Sequence, residues 1–182
     1  MAEKLKQTQN PRQAWITLAM AVVVSALFAF IVLPRIGNKA QSLEGLAAPD
    51  FALEVIHGGD PGNRIRLSDL QGKVVVLDFW ASWCGPCKQQ IPILDAFAQA
   101  HSEVSIVGVN TDDRREDAVA YAKSQGLSYP AVFDKASKVA SAYGVRGLPT
   151  MVVVSPKGQI VAVRSRVVPK AELAELVGGA GP

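Results

Sequence analysis

Cysteine and histidine are scarce in this chain of 182 residues: two of each, at Cys84, Cys87, His57 and His101. A closed structural zinc site needs four protein ligands, and neither histidine stands at ligand spacing from the cysteines. Methionine is equally sparse, at Met1, Met20 and Met151. No Met-rich or His-rich stretch marks a copper carrier, although a Cys-x-x-Cys pair by itself leaves Cu(I) binding open as an alternative. Internal repeats and low-complexity segments are absent. So is a basic stripe: with Glu3, Lys4, Lys6 and Arg12 of the N-terminal tail set aside, 16 basic residues face 15 acidic ones. No footprint for nucleic acid remains.

What the chain does have is one long apolar run. Trp15 to Leu33, "WITLAMAVVVSALFAFIVL", is nineteen residues without a charge. As a helix it would span about 28 Å, close to the hydrocarbon thickness of a bilayer. Trp15 stands where an interfacial aromatic would, and Pro34 ends the run. A cleaved signal peptide fits less well, because its apolar core is shorter and no small-x-small site follows closely. The organisation expected is a cytoplasmic tail (1–14), a transmembrane signal-anchor (15–34), a polar tether (35–47) and one domain (48–182). Three basic residues before the run against Arg35 and Lys39 after it favour a cytoplasmic N-terminus and an extracytoplasmic domain.

Within the domain, strands alternate with helices. "APDFALEVI" alternates as a half-buried strand and "RIRLSDL" resumes it. "VVVLDFW" reads as a fully buried strand. A helix through "CKQQIPILDAFAQA" follows, with a kink expected at Pro92. "VSIVGVN" is a second buried strand, then come a helix from Arg114 to Gln125 and a short strand "LSYPAVF". "DKASKVASAYG" is a helix with Asp134 as N-cap and Gly144 as C-cap. A hairpin around Pro156–Gly158 and a closing helix from Pro169 complete it. The class is α/β, a mixed central sheet flanked by helices.

Cys84 and Cys87 occupy a strand-to-helix turn. A permanent bridge across so short a loop removes little unfolded-state entropy. At a helix N-terminus, backbone N–H groups and the dipole stabilise a thiolate, which points to Cys84 as the attacking sulfur. Cys87, one turn further in, should be more buried and should resolve the mixed disulfide. A working redox pair is the reading these residues favour.

"FWASWCGPCK" resembles the thioredoxin active-site segment, and "GVRGLPT", Gly144 to Thr150, resembles the thioredoxin cis-proline loop. "APDFAL", "RLSDLQGKVVVLDFWASWC" and an extra αβ unit before Pro149 resemble the membrane-anchored TlpA/ResA branch, which includes the CcmG/DsbE-type reductases of cytochrome c maturation. The resemblance covers residues 47–177 and implies a thioredoxin-like fold. It implies Cys84 as nucleophile, Cys87 as resolving thiol, Gly85 and Pro86 as the turn between them, and Trp83 packed beside an exposed sulfur. Pro149 would follow a cis bond after Leu148, whose backbone would pair with a substrate strand. Asp78, a carboxylate inside a buried strand, is costly unless functional; the resemblance makes it the proton acceptor and donor for Cys87. The branch often carries Asn at this position and an acid two or three residues beyond the second cysteine. Here Asp78 stands with Gln89 and Gln90, and Gly108 replaces the lysine that neighbours the aspartate in thioredoxin.

The implied activity is thiol–disulfide exchange at the outer face of the bacterial cytoplasmic membrane, with no cofactor or metal expected. Partners would be oxidised proteins, such as apocytochrome c or copper-site cysteines, and a transmembrane thiol electron donor. The Gly-Pro dipeptide favours a reductase over a disulfide-forming oxidant. Peroxidase activity fails on a Pro-x-x-x-Thr-x-x-Cys requirement, since Leu77 and Ala81 occupy those positions.

Overall fold

The computed structural model describes residues 15–16, 18–28, 43–60 and 62–181. Leu43–Pro182 form one compact unit and Met1–Ser42 another. In the N-terminal unit residues 15–16 and 18–28 are helical. Among the described residues no helix is long and apolar enough to cross a membrane. The tail, residue 17 and residues 29–42 of the expected anchor and tether lie outside the described residues.

The larger unit is built on a seven-stranded sheet of order β2-β1-β5-β4-β3-β6-β7. Its strands are β1 (Ala52–His57), β2 (Arg64–Arg66), β3 (Val75–Trp80), β4 (Ser105–Thr111), β5 (Ala131–Asp134), β6 (Thr150–Val154) and β7 (Ile160–Arg164). The helices are α1 (Cys87–Ala100), α2 (Arg115–Gln125), α3 (Lys138–Ala142) and α4 (Lys170–Gly179). β3 and β4 run parallel with α1 between them in sequence, and β6 lies antiparallel against the other side of β3. The sheet is mixed, and β3 sits in its interior.

Period-two alternation divides the core. Val76 and Trp80 face a cluster that includes Cys84, Cys87, Ile91, Leu94 and Phe97, with Leu173 of α4. Val75, Leu77 and Phe79 face the opposite cluster, with Phe51, Leu67 and Tyr143. Leu77, Phe79, Trp80 and Leu94 are wholly removed from solvent; each such side chain contributes about 1.5–3 kcal/mol of transfer free energy. β3 is therefore covered on both faces, and the turn that follows it leaves from an interior strand of the sheet.

Three details differ from the sequence expectation. "SDL" is part of a 3-10 turn, Leu67–Leu70, because the Asp50 carboxylate accepts hydrogen bonds from Ser68 N–H (3.0 Å) and the Ser68 hydroxyl (3.2 Å). The helix expected from Asp134 begins only at Lys138, since Ala136 and Ser137 adopt left-handed backbone. Asp134 still caps it, accepting from Val139 N–H at 3.0 Å and Ala140 N–H at 2.8 Å. Residues 43–47, assigned to the tether by the sequence, hydrogen-bond to the β6–β7 hairpin through Gly45 N–H to the Ile160 carbonyl (2.7 Å) and Ile160 N–H to the Leu46 carbonyl (2.9 Å). α1 runs as one helix through Pro92.

Candidate active site

The chain leaves β3 at Trp80 and turns through Ala81–Pro86 into α1. Cys84 N–H donates to the Ala81 carbonyl at 3.1 Å, which starts the turn, and Gln89 N–H reaches the Pro86 carbonyl at 3.0 Å, which starts the helix. Cys84 and Cys87 are joined in a disulfide with their Cα atoms 5.3 Å apart. Cys87 N–H points at Cys84 Sγ, 3.2 Å away. That donor, at the positive end of a 14-residue helix, is the feature that favours negative charge on Cys84 once the bridge opens. Gly85 and Pro86 are exposed, and nothing lies within 4 Å of a Cβ placed on Gly85. The expected contrast in burial is small: Cys84 is 3 % exposed and Cys87 1 %. Both sulfurs belong to the core cluster on this face, so Cys84 is less open than the sequence suggests.

Trp83 is 61 % exposed, yet its ring is fixed at one end, with Nε1 donating to the Asp112 carbonyl at 2.7 Å. The preceding residue is held as firmly. The Asp113 carboxylate accepts from Ser82 N–H (2.6 Å), the Ser82 hydroxyl (3.0 Å), Asn110 Nδ2 (3.0 Å) and Arg114 N–H (2.9 Å). The loop after β4 thus pins the loop after β3 at the mouth of the cysteine turn.

The Leu148–Pro149 peptide bond is cis. Pro149 is buried, and Leu148 packs partly buried against both core clusters. Thr150 anchors this loop, its hydroxyl donating to the Gly147 carbonyl at 2.8 Å. Trp83, Asp112, Arg146, Gly147 and Leu148 line a surface cavity of about 260 Å³. Trp83 and the proline loop therefore share one concavity beside the cysteine turn.

Asp78 is wholly buried and neither carboxyl oxygen has a hydrogen-bond partner. Two residues from Val76 and from Trp80, it shares their face of β3 and so the face that carries the cysteines. Burial pushes its carboxyl up to about 7; desolvation penalises the charged form and no cation compensates. Gly108 is its register partner on β4 and Met151 on β6. Burial first, and then the Asp78 and Asp95 carboxylates, raise the nearby Tyr129 hydroxyl above the ordinary tyrosine range.

Residues 45–163 match the AhpC/TSA family. The thiol-disulfide oxidoreductase ResA of Bacillus subtilis is 37% identical over 146 residues, 79% of either chain. ResA of Halalkalibacterium halodurans is 30% identical over 85% of this chain and 87% of its own. The chain belongs to the ResA-like thiol–disulfide oxidoreductases. Among solved structures, a protein described as thiol:disulfide interchange protein DsbE from Chlorobium tepidum is similar with a TM-score of 0.68 and 31% identity, over 75% of this chain and 96% of that one. StoA from Bacillus subtilis is similar at 0.61 and 26% identity, over 71% and 96%. The fold is thioredoxin-like and the protein is a thiol–disulfide oxidoreductase.

Within this oxidoreductase the structure brings Cys84, Cys87, Trp83, Leu148 and Pro149 to one end of the sheet, with Asp78 on the cysteine-bearing face. It adds residues that the sequence reading missed. Gln90 is fully buried: Val168 N–H donates to its Oε1 at 2.6 Å, and its Nε2 donates to the Val168 carbonyl at 3.4 Å. Where the family often has an acid near the second cysteine, this chain has an amide that ties α1 to the segment before α4. Asp113 and Asn110 were equally invisible, because an acid after a strand is ordinarily a solvated loop residue. The "TDD" that follows "VGVN" was the available signal, but nothing in it points back to Ser82.

Proposed function

We propose that this oxidoreductase is a membrane-tethered, extracytoplasmic reductase of protein disulfides. The observation that carries the reading is the pairing of a Cys-Gly-Pro-Cys turn at the start of α1 with one buried carboxyl, Asp78, on the same face. A Cys84 thiolate attacks one sulfur of a substrate disulfide, breaking its S–S bond and releasing the first substrate thiolate. Cys87 then gives its proton to the Asp78 carboxylate and attacks Cys84 Sγ. The second substrate thiolate leaves and is protonated, and the two electrons of the dithiol have moved to the substrate. The Cys84–Cys87 disulfide seen in the structure is the product state of this cycle. A carboxyl titrating near neutrality suits the task, since it can accept and return a proton at working pH.

A Gly-Pro dipeptide between the cysteines supports reduction over oxidation, because thioredoxin, at about −270 mV, carries the same pair. The uncharged run Trp15–Leu33, with Lys4, Lys6 and Arg12 on its N-terminal side, supports the tether and its outward orientation. Outside the cytoplasm the pair needs a transmembrane thiol donor to be recharged. Apocytochrome c and metal-site cysteines are the substrates this placement favours.

The test is the equilibrium reduction potential of the Cys84–Cys87 pair in a thiol buffer. A value below about −230 mV is expected for a reductant; one near about −120 mV means a disulfide-forming oxidant and reverses the direction proposed.

A further inference from the structure

Residues 43–51 leave β7 at one side of the sheet and reach β1 at the other, crossing the face on which Tyr143 lies. Three backbone hydrogen bonds start this strap: Gly45 N–H to the Ile160 carbonyl (2.7 Å), Ile160 N–H to the Leu46 carbonyl (2.9 Å) and Ala48 N–H to the Gly158 carbonyl (2.8 Å). Leu43, Ala48 and Phe51 pack against the cluster that holds Leu77, Phe79 and Tyr143. A polar spacer needs no such contacts.

The strap reaches the proline loop, Gly144–Pro149, at both of its ends. At the first, the buried Tyr143 hydroxyl donates to the Pro49 carbonyl at 2.8 Å, and the ring centroid lies 5.6 Å from that of Phe79. Gly144 then turns the chain with a φ of 61°, and a Cβ placed there would stand 3.6 Å from Leu43 Cδ1. Val145 and Leu148 pack against the same cluster as Leu43. At the other end, the Glu44 carboxylate accepts from Val163 N–H (3.2 Å) and Arg164 Nη1 (3.1 Å). Arg164 is the register partner of Met151 and also donates to Glu172 at 3.3 Å, so Glu44 holds the end of β7 beside β6 and α4. The next residue, Ser165, hydrogen-bonds the Thr150 hydroxyl at 3.0 Å, and that hydroxyl closes the loop onto Gly147.

A loop gripped at both ends presents its backbone in one arrangement, and a substrate strand pairing with it is spared the entropy of ordering it. We propose that Leu43, Glu44 and Pro49 are positioning residues for the proline loop, holding the Leu148 backbone in place for substrate proteins. The strap lies on the face opposite the cysteines. It therefore governs recognition of a polypeptide and leaves the exchange at Cys84 alone. The inference rests on the thiol–disulfide reading above, with Leu148 as the residue that pairs with substrate.

The experiment compares full-length variants in two assays, insulin-disulfide reduction and single-turnover reaction of the reduced protein with cystamine. Leu43→Ala, Glu44→Ala and Tyr143→Phe, which frees the Pro49 carbonyl, should each raise the insulin KM about fivefold, the order expected when substrate must itself order one loop residue. Cystamine has no backbone to pair, and its rate should match the parent's in all three. Leu43→Met and Glu44→Gln keep the packing and the acceptor and should restore the insulin KM. A parent-like insulin KM in all three variants, or equal losses against insulin and cystamine, overturns the positioning role even where unfolding free energy falls. The reading beneath it fails separately: Leu148→Gly with an unchanged insulin KM would take the loop out of substrate binding.

Discussion

Replacing Asp78 by Asn should stabilise the fold while slowing the chemistry, and the size of the first effect follows from burial. In the folded protein the carboxyl is raised from 3.8 to about 7 with desolvation as the cause. Below the unfolded value both states hold the proton, and Asp78 costs nothing. As pH rises through that value the unfolded chain ionises freely while the folded chain does not, so stability falls with pH. The loss grows by about 1.4 kcal/mol per unit and levels off above the folded value. A rise of about three units gives about 4 kcal/mol in total. Asp78→Asn removes the titration, so the variant should match the parent near pH 3.5 and exceed it by about 4 kcal/mol near pH 8. Guanidinium unfolding of both oxidised proteins across this range measures the difference directly. A stability difference that stays flat from acid to alkaline pH would refute the claim that burial, uncompensated by charge, governs this carboxyl. Turnover at neutral pH should drop in the same variant, the trade expected where a strained group serves function.

Cys84→Ser should abolish insulin-disulfide reduction, whereas Cys87→Ser should accumulate mixed disulfides visible on non-reducing gels; a Cys87→Ser protein that is reactive at Cys84 yet traps nothing would remove Cys87 from the resolving role. Asp113→Ala leaves Ser82 N–H, the Ser82 hydroxyl and Asn110 Nδ2 without their acceptor, so a loss of about 1–3 kcal/mol in unfolding free energy is expected. Its kcat/KM for disulfide reduction should fall further than its stability explains, because the loop carrying Trp83 is released; unchanged kinetics would make the carboxylate merely structural. Gln90→Leu preserves volume but strands the Val168 backbone pair, and should cost about 1–3 kcal/mol by denaturant unfolding with little pH dependence.

How much of this was legible beforehand differs from element to element. "VVVLDFW" reads as a buried strand because β-branched and aromatic residues without polar interruption fit only a strand covered on both faces, and β3 is buried at all six positions. α1 begins at Cys87 and ends at Ala100 as its pattern suggested, with Gly85 and Pro86 setting the turn before it. The short helix α3 was less legible. Ala136 and Ser137 take left-handed backbone that no alanine or serine announces, and the start moves to Lys138. Asp134 kept its capping function because a carboxylate can reach N–H groups across an irregular turn.

The amino-acid order by itself determined the α/β class, the position of the cysteine pair after a buried strand, the proline loop and the oddity of an acid at Asp78, since each is a matter of local pattern. Tertiary structure alone decided what surrounds them. Register placed Gly108 and Met151 beside Asp78, a loop 31 residues away in sequence brought Asp113 to Ser82, and Gln90 found its partner 78 residues downstream. Such contacts are set by strand order and by which faces pack together, and hydrogen-bond complementarity between distant residues leaves no periodic trace in one sequence.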